Sequence, residues 1–211
     1  MVVLLVIRFI LIKDDKVKLS EDSKKKWIEN IDSIVIAGVT ALILITFVIR
    51  TFYIPSTSMV PTLKVNDYIL VNKFVYRFYM PARHDIVVFR PPPEANAEGK
   101  DFIKRIVAVE GDTVEVKNGR LYINGVAQNE SPVTGSQGFG KEDVAAICNY
   151  NINEPPEYDM PKTIVPQGSL FVMGDNRNNS DDSHVWGFLP KENLIGKAVL
   201  LFFPPNRIRT F

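Results

Sequence analysis

Thr113-Val-Glu-Val-Lys-Asn-Gly-Arg-Leu-Tyr-Ile123 decides the fold class. Asn118-Gly119 sits between two strand-forming runs and tolerates the positive φ angles of a tight two-residue turn, so the segment predicts a β-hairpin. Similar short runs recur at Tyr68-Ile-Leu-Val-Asn72, Asp85-Ile-Val-Val-Phe89, Phe102-Ile-Lys-Arg-Ile-Val-Ala-Val109 and Ser169-Leu-Phe-Val-Met173. Turn signals at Glu110-Gly-Asp112 and Asn124-Gly125 separate them. Helical periodicity is scarce after residue 50, so the expectation is a mostly β architecture with long loops. Two stretches, 91–101 and 126–166, carry no strand pattern. The second is rich in Gly, Pro, Asn and Ser and reads as an inserted lobe.

The N-terminal fifth differs. Ser33 to Ile49 is seventeen residues without a charge, closed by Arg50. As a helix it would span ~26 Å, slightly short of a ~30 Å hydrocarbon core. The reading is a transmembrane helix over 33–49, flanked by Trp27 and by Phe52-Tyr53 as interfacial anchors. Seven basic residues precede it: Arg8, Lys13, Lys16, Lys18, Lys24, Lys25 and Lys26. Only Arg50 and Lys64 follow within twenty residues, which places residues 1–32 in the cytoplasm and 50–211 outside. Met1 to Ile12 is apolar but short and broken by Arg8, and reads as interfacial, with a remnant spanning helix as the alternative.

Bulk properties exclude several classes. A net charge of +1 gives no basic surface for nucleic acid. A single cysteine, Cys148, rules out an intramolecular disulfide and reads as a half-buried small residue. The two histidines stand at 84 and 184, and no CxxC or HExxH occurs, which argues against a metal site.

Just beyond the apolar run, Ile54-Pro-Ser-Thr-Ser-Met-Val-Pro-Thr-Leu63 holds Ser56 and Ser58 between Pro55 and Pro61. Either hydroxyl is a candidate nucleophile at a membrane surface, and a hydroxyl needs a base. One option is His184 with Asp182. The other is Lys104. Strand alternation puts Phe102, Lys104, Ile106 and Ala108 on one face, and Ile103, Arg105, Val107 and Val109 on the other. Apolar neighbours disfavour the ammonium, and a two-unit fall in pKa corresponds to ~2.7 kcal/mol of differential desolvation. The plain alternative is a snorkelling or salt-bridged strand lysine, because spacing does not join Lys104 to Ser58. The stretch Gly174-Asp-Asn-Arg-Asn-Asn-Ser-Asp-Asp-Ser-His-Val-Trp-Gly187 suits a buried hydrogen-bond scaffold. It lacks the alternating acidic order of a calcium loop.

Three blocks in chain order now resemble one family, the bacterial type I signal peptidases, which are membrane-anchored Ser–Lys serine proteases. They are Pro55-Ser-Thr-Ser-Met-Val-Pro-Thr-Leu63, Phe102-Ile-Lys-Arg-Ile-Val107 and Gly174-Asp-Asn-Arg-Asn-Asn-Ser-Asp-Asp-Ser183. A fourth, Arg83-His-Asp-Ile-Val-Val-Phe89, matches except at His84, where the family usually has glycine. The resemblance implies Ser58 as nucleophile and Lys104 as general base, with the Ser58 N–H and the Ser56 hydroxyl as oxyanion hole. It implies Ser180 orienting the lysine, an Arg105–Asp175 ion pair behind the dyad, and Asp182 as a supporting acid. The usual arginine partner of that acid is replaced here by His184, as in members from photosynthetic bacteria and plastids.

By the same resemblance, Phe52, Ile54, Met59, Leu63, Ile69, Val88 and Ile103 line shallow pockets for small residues before the scissile bond, of the Ala-x-Ala type. The implied fold is a coiled antiparallel β-sheet protease domain with a β-rich lobe inserted at about 110–168, and no cofactor. The implied partners are signal-peptide-bearing preproteins, membrane lipid and the export machinery nearby. The implied location is the plasma membrane, with the thylakoid membrane as a second possible host. Two other functions fit the residues: a Ser–His hydrolase, and an inactive membrane-tethered domain that binds exported chains.

Overall fold

Asn118 and Gly119 both adopt positive φ, 50° and 70°, and bring Thr113–Lys117 (β5) against Arg120–Ile123 (β6) with Lys117 opposite Arg120. This is the geometry that matches the right-handed twist of the strands it joins. The computed structural model describes residues 21–43, 48–95, 99–128 and 156–211. Met1–Ile12, Cys148 and most of 126–166 lie outside the described residues. The chain divides into two units between Ile49 and Arg50.

The first unit contains a helix, α1, over Glu21–Ile43. It starts well before the apolar run, because Glu21 and Asp22 favour a helix N-terminus. Among the described residues no helix is long and apolar enough to cross a membrane. The expected helix over 33–49 is also corrected at its end. Ile49 opens a strand, β1, over Ile49–Tyr53. The β-branched Ile49 and Thr51 suit a strand, and β1 is held as the edge partner of Tyr68–Asn72 (β2).

The second unit is mostly β, in two sheets. The remaining strands are Ile86–Phe89 (β3), Phe102–Val109 (β4), Val126–Ala127 (β7), Met160–Ile164 (β8), Ser169–Met173 (β9), Leu189–Pro190 (β10), Leu194–Phe203 (β11) and Arg209–Thr210 (β12). The larger sheet runs β1-β2-β11-β3-β4-β9-β10, with β12 on β11, and every register given for it is antiparallel. The smaller runs β7-β6-β5-β8. One apolar cluster, including Ile54, Met59, Leu63, Ile69 and Val88, lies under the β1-β2-β11-β3 end. A second joins the smaller sheet to Phe171 and Met173, and a third gathers Phe89, Ile106 and Trp186.

Three expectations are corrected. β8 lies inside 126–166, which carried no strand pattern. Its sequence, Met-Pro-Lys-Thr-Ile, has little β signal of its own and is a strand through pairing with β5. Strand β11 has no counterpart among the expected strand runs, although it pairs with both β2 and β3 in the larger sheet. The strict alternation along β4 fails past Ile106. A register shift against β9 lies between Ile106 and Ala108, and consecutive Val107 and Ala108 join the same cluster.

Gly196 in β11 is required by crowding. An added Cβ would stand 2.3 Å from the Asn72 carbonyl oxygen and 2.9 Å from Val71 Cγ1. Backbone cannot yield as a side chain tip can. Gly196→Ala is expected to destabilise the domain by about 1–3 kcal/mol, measured as a lowered urea midpoint with unchanged slope.

Candidate active site

The segment after β1 is tied at several places. The Ile54 N–H donates to the Asp67 carbonyl at 2.9 Å, and Asn66 N–H to the Ile54 carbonyl at 3.0 Å. Tight bonds Val60 N–H to Thr57 O (3.0 Å) and Leu63 N–H to Met59 O (2.8 Å) coil the chain around Ser58. The buried Asp67 carboxylate accepts from Lys64 N–H at 2.8 Å and from Arg207 at 2.5 Å. Arg207 and Arg209 both reach the Thr62 carbonyl. Burial raises the Asp67 pKa in spite of these donors. Ser58 is buried, Ser56 is exposed, and their hydroxyl oxygens lie 3.3 Å apart.

A second loop, following β9, is laced to this one. Asn176 N–H donates to the Ser58 carbonyl at 3.0 Å, and its side chain to the Thr57 carbonyl at 3.2 Å. Asn179 donates to Thr57 Oγ1 at 3.0 Å. Gly174 sits where no Cβ fits: one would lie 2.2 Å from Ser180 Oγ and 2.5 Å from the Ser58 carbonyl oxygen. Ser180 Oγ is itself buried without a regular hydrogen-bond partner. Ser58, Gly174 and Ser180 are thus neighbours.

Lys104 comes from the middle of β4, opposite Val87 on β3. It is 5% exposed, and its ammonium lies 5.7 Å from the centre of the Phe102 ring. Burial lowers its pKa, while Asp182, Asp181 and Asp175, all on the Ser180 loop, partly restore it. Among the described residues Lys104 forms no ion pair, and no hydrogen bond joins it to Ser58. Asp175 is instead held by Arg105 through two bonds of 2.7 Å, while Arg105 also donates to the His84 carbonyl at 3.0 Å. His84 has φ of 73°. This explains the glycine preference expected at that place.

Asp182 is fully buried and caps Ser183–Trp186 (α2) by accepting from His184 N–H. It also accepts from Gly174 N–H at 2.8 Å, and His184 Nδ1 lies 2.7 Å from its other oxygen. Burial pushes its pKa up, but the His184, Ser180 and Gly174 contacts win and hold it below the usual carboxylate range. The His184 ring stacks on Tyr158 at 4.2 Å. No bond joins His184 to Ser58.

The residues expected to line pockets all fall in one place. Ile54, Met59, Leu63, Ile69 and Val88 are buried members of a single cluster, and Phe52 and Ile103 pack on it half-exposed. Sequence reasoning missed Gly174, Asn176, Asp67, Arg207 and Arg209. Gly174 and Asn176 stood in a quoted block, but nothing there signalled their closeness to Ser58. The two arginines lie 140 residues or more from their partners and carry no local signal.

The chain matches the family described as "Signal peptidase, peptidase S26" over residues 26–203. It is 45% identical over 183 residues to the probable signal peptidase I-1 of Synechocystis sp., covering 85% of this chain and 84% of that protein. It is 42% identical over 184 residues to the signal peptidase I of Leptolyngbya laminosa, covering 85% and 81%. Thylakoidal processing peptidase 1, chloroplastic, of Arabidopsis thaliana is 43% identical over 162 residues, 74% of this chain and 42% of that one. A crystal structure of a signal peptidase I from Enterococcus faecalis aligns with a TM-score of 0.42 at 32% identity, over 56% of this chain and 97% of that one. The chain belongs to the S26 signal peptidase family, and its activity is that of a serine peptidase acting on signal peptides.

Gly174→Ala should displace either Ser180 or the Ser58 backbone. The expected outcome is a loss of at least ~10-fold in kcat/KM, since misplacing a reacting group by about 1 Å costs ~10²-fold. A circular dichroism spectrum like that of the parent would confirm that the fold survives.

Proposed function

We propose that this protein is a membrane-anchored endopeptidase that removes signal peptides from exported preproteins with a Ser58–Lys104 dyad. One observation carries the reading. The loop Gly174–Ser183 is hydrogen-bonded to the backbone of Ser58, and its carboxylates act on the charge of buried Lys104. The two groups therefore face one scaffold, although they are 46 positions apart in sequence (104 − 58).

In this mechanism Ser58 Oγ attacks the scissile carbonyl and gives its proton to the neutral Lys104 amine. The Ser58 N–H and the Ser56 hydroxyl receive the developing oxyanion, each donor worth ~3–4 kcal/mol in related chemistry. The Lys104 ammonium then protonates the leaving amine. Water, deprotonated by the same amine, releases the acyl group from Ser58. Ser180, whose hydroxyl is buried beside Gly174 and contacts Asp182, orients Lys104. Arg105 and Asp175 brace β4 against the loop, and Asp182 holds Gly174 in place.

Substrate selection by exclusion fits the apolar cluster. Phe52 and Ile103, the half-exposed members, close shallow pockets over Ile54, Met59, Leu63, Ile69 and Val88, so that small residues of the Ala-x-Ala kind enter and bulky ones clash. The bound peptide adds as a strand beside Ile54-Pro55 and β4.

The organisation follows the charge pattern: 1–32 cytoplasmic, the apolar run that begins at Ser33 the anchor, 50–211 extracytoplasmic, with a lobe at about 110–168. The membrane is the plasma membrane or the thylakoid membrane. Lipid is a partner, the export machinery lies nearby, and no nucleic acid is involved. Sharing one bilayer with the substrate raises effective concentration.

Detergent-solubilised protein should cleave a preprotein, and both Ser58→Ala and Lys104→Ala should abolish cleavage. His184→Ala should keep substantial activity, because His184 serves Asp182. The reverse pattern would make the enzyme a Ser–His hydrolase. Equal behaviour of wild type and Ser58→Ala would make the protein a binding domain. The pH profile has a definite sign. Since the neutral amine is the base and burial lowers its pKa, kcat/KM on a short peptide should rise with pH through the folded pKa of Lys104 and level off below the ordinary lysine range.

A further inference from the structure

Tyr158 lies outside every motif read from the sequence, yet its ring meets the loop that carries Ser180. It stacks on the His184 ring, with centroids 4.2 Å apart and planes 10° from parallel. The segment that holds it is fixed at several points. Pro156 is buried, the Glu157 N–H donates to Asn178 Oδ1 at 3.0 Å, and Asp159 accepts the Asn118 N–H at 2.8 Å. Tyr158 itself packs on the apolar cluster of the smaller sheet, as does Met160 at the start of β8. The smaller sheet therefore reaches the Ser180 loop through Glu157 and through a flat contact on an imidazole.

That imidazole fills an acceptor. Its Nδ1 lies 2.7 Å from Asp182 Oδ1, and a carboxylate only accepts, so Nδ1 carries the proton. The other Asp182 oxygen takes the Gly174 N–H at 2.8 Å. Gly174 in turn lies beside Lys104. Arg105 pairs with Met173 and Ile106 with Val172, and the same register carried one position on sets Gly174 opposite Lys104. Asp182 is thus a buried carboxylate whose charge acts on the amine while both its oxygens are engaged elsewhere. The other acids acting on Lys104 are Asp175, held by Arg105, and Asp181, which is exposed to water.

Unlike a guanidinium fork, an imidazole offers Asp182 a single side-chain donor, and rotation about its side-chain bonds swings it away. His184 sits on a four-residue helix with its ring partly open to water, so it needs support from outside that helix. We propose that Tyr158 is a positioning residue for the Ser58–Lys104 site: by holding the His184 ring flat it keeps Asp182 occupied, and so keeps that carboxylate from pairing with the Lys104 amine. This rests on the reading of Lys104 as the base. Without the stack, Asp182 Oδ1 is left with the His184 N–H at 3.2 Å and takes its missing donor from Lys104. The amine then holds its proton to higher pH and is a poorer base below that point.

The test uses the detergent-solubilised full chain and a short soluble peptide. Tyr158→Leu keeps apolar bulk and removes the stack. Its kcat/KM profile should move alkaline by about half a unit, which is a roughly threefold loss below the midpoint, and should rejoin the wild type on the alkaline plateau. Tyr158→Phe, which keeps the ring, should restore the wild-type profile. A loss equal at every pH would assign Tyr158 to folding and overturn the proposal.

His184→Ala should move the profile in the same direction, and Tyr158→Leu added to it should move it no further. Additive shifts would mean that Tyr158 acts by another route, and would overturn the proposal. The Lys104 amine can also be titrated directly, by NMR of isotope-labelled lysine with Lys104→Arg giving the assignment. Its midpoint should rise in Tyr158→Leu and in His184→Ala whether or not Lys104 is the base. An unchanged midpoint in His184→Ala overturns the proposal, even where Tyr158→Leu does not fold. Cleavage that survives Lys104→Ala, together with a raised midpoint, would sink the dyad and leave the hold of Tyr158 on the Asp182 carboxylate standing.

Discussion

A lysine ammonium buried at the middle of a strand, with no carboxylate of its own, is the constraint on which the site depends. Three acids lie close enough to act on it. If one of them paired with it directly, the charged form would be stabilised and the amine would make a poor base. The arrangement works against this by giving two of the three acids other partners. Asp175 is occupied by the Arg105 fork, a geometry that Lys104 could not match. Asp182 is occupied by the Gly174 N–H and by His184. Each pKa unit by which the amine falls represents about 1.4 kcal/mol of lost preference for the charged form. The domain bears that destabilisation at the position where the proposed mechanism needs a neutral amine.

The proposed nucleophile depends on distant chain in the same way. Ser58 sits in a stretch with no regular secondary structure, yet its coil is clamped from two directions. Asn176 and Asn179 hold Thr57 and the Ser58 carbonyl from the β9 side. Arg207 and Arg209 hold Asp67 and the Thr62 carbonyl from the C-terminus. Gly174 permits the approach, because any side chain there would occupy the space of Ser58 and Ser180. A loop built this way behaves like a packed element.

Legibility from sequence followed the range of the interactions. The hairpin at Asn118-Gly119 was readable because both its turn chemistry and its pairing are local. β11 gives no such signal, since Leu-Ile-Gly-Lys-Ala-Val-Leu-Leu-Phe-Phe is largely apolar on both faces and has no period of two to betray a strand. β8 was invisible because pairing, not propensity, makes it a strand. At the site, the residue types and their roles came from motif resemblance. The burial of Lys104 followed from its neighbours on β4, although the shift past Ile106 broke the simple alternation. What no local pattern could supply was the web from Asn176, Arg207 and Arg209, whose partners lie more than a hundred positions away.

The proposed substrate pockets carry a consequence for how specificity can change. Of the seven side chains assigned to them, five are core residues with almost no exposure, packed with Val71, Ile86, Ala198 and Leu201. Enlarging a pocket by trimming Met59 or Leu63 would therefore open a cavity under the Ser58 loop, at a typical cost of 2–5 kcal/mol. Phe52 and Ile103 differ, because they are half-exposed and rest on the cluster from outside. Substrate preference can drift at these two positions without loosening the core, whereas the other five couple preference to stability. On the proposed reading, a narrow taste for small residues is the default of a well-packed β core that ends at Ser58.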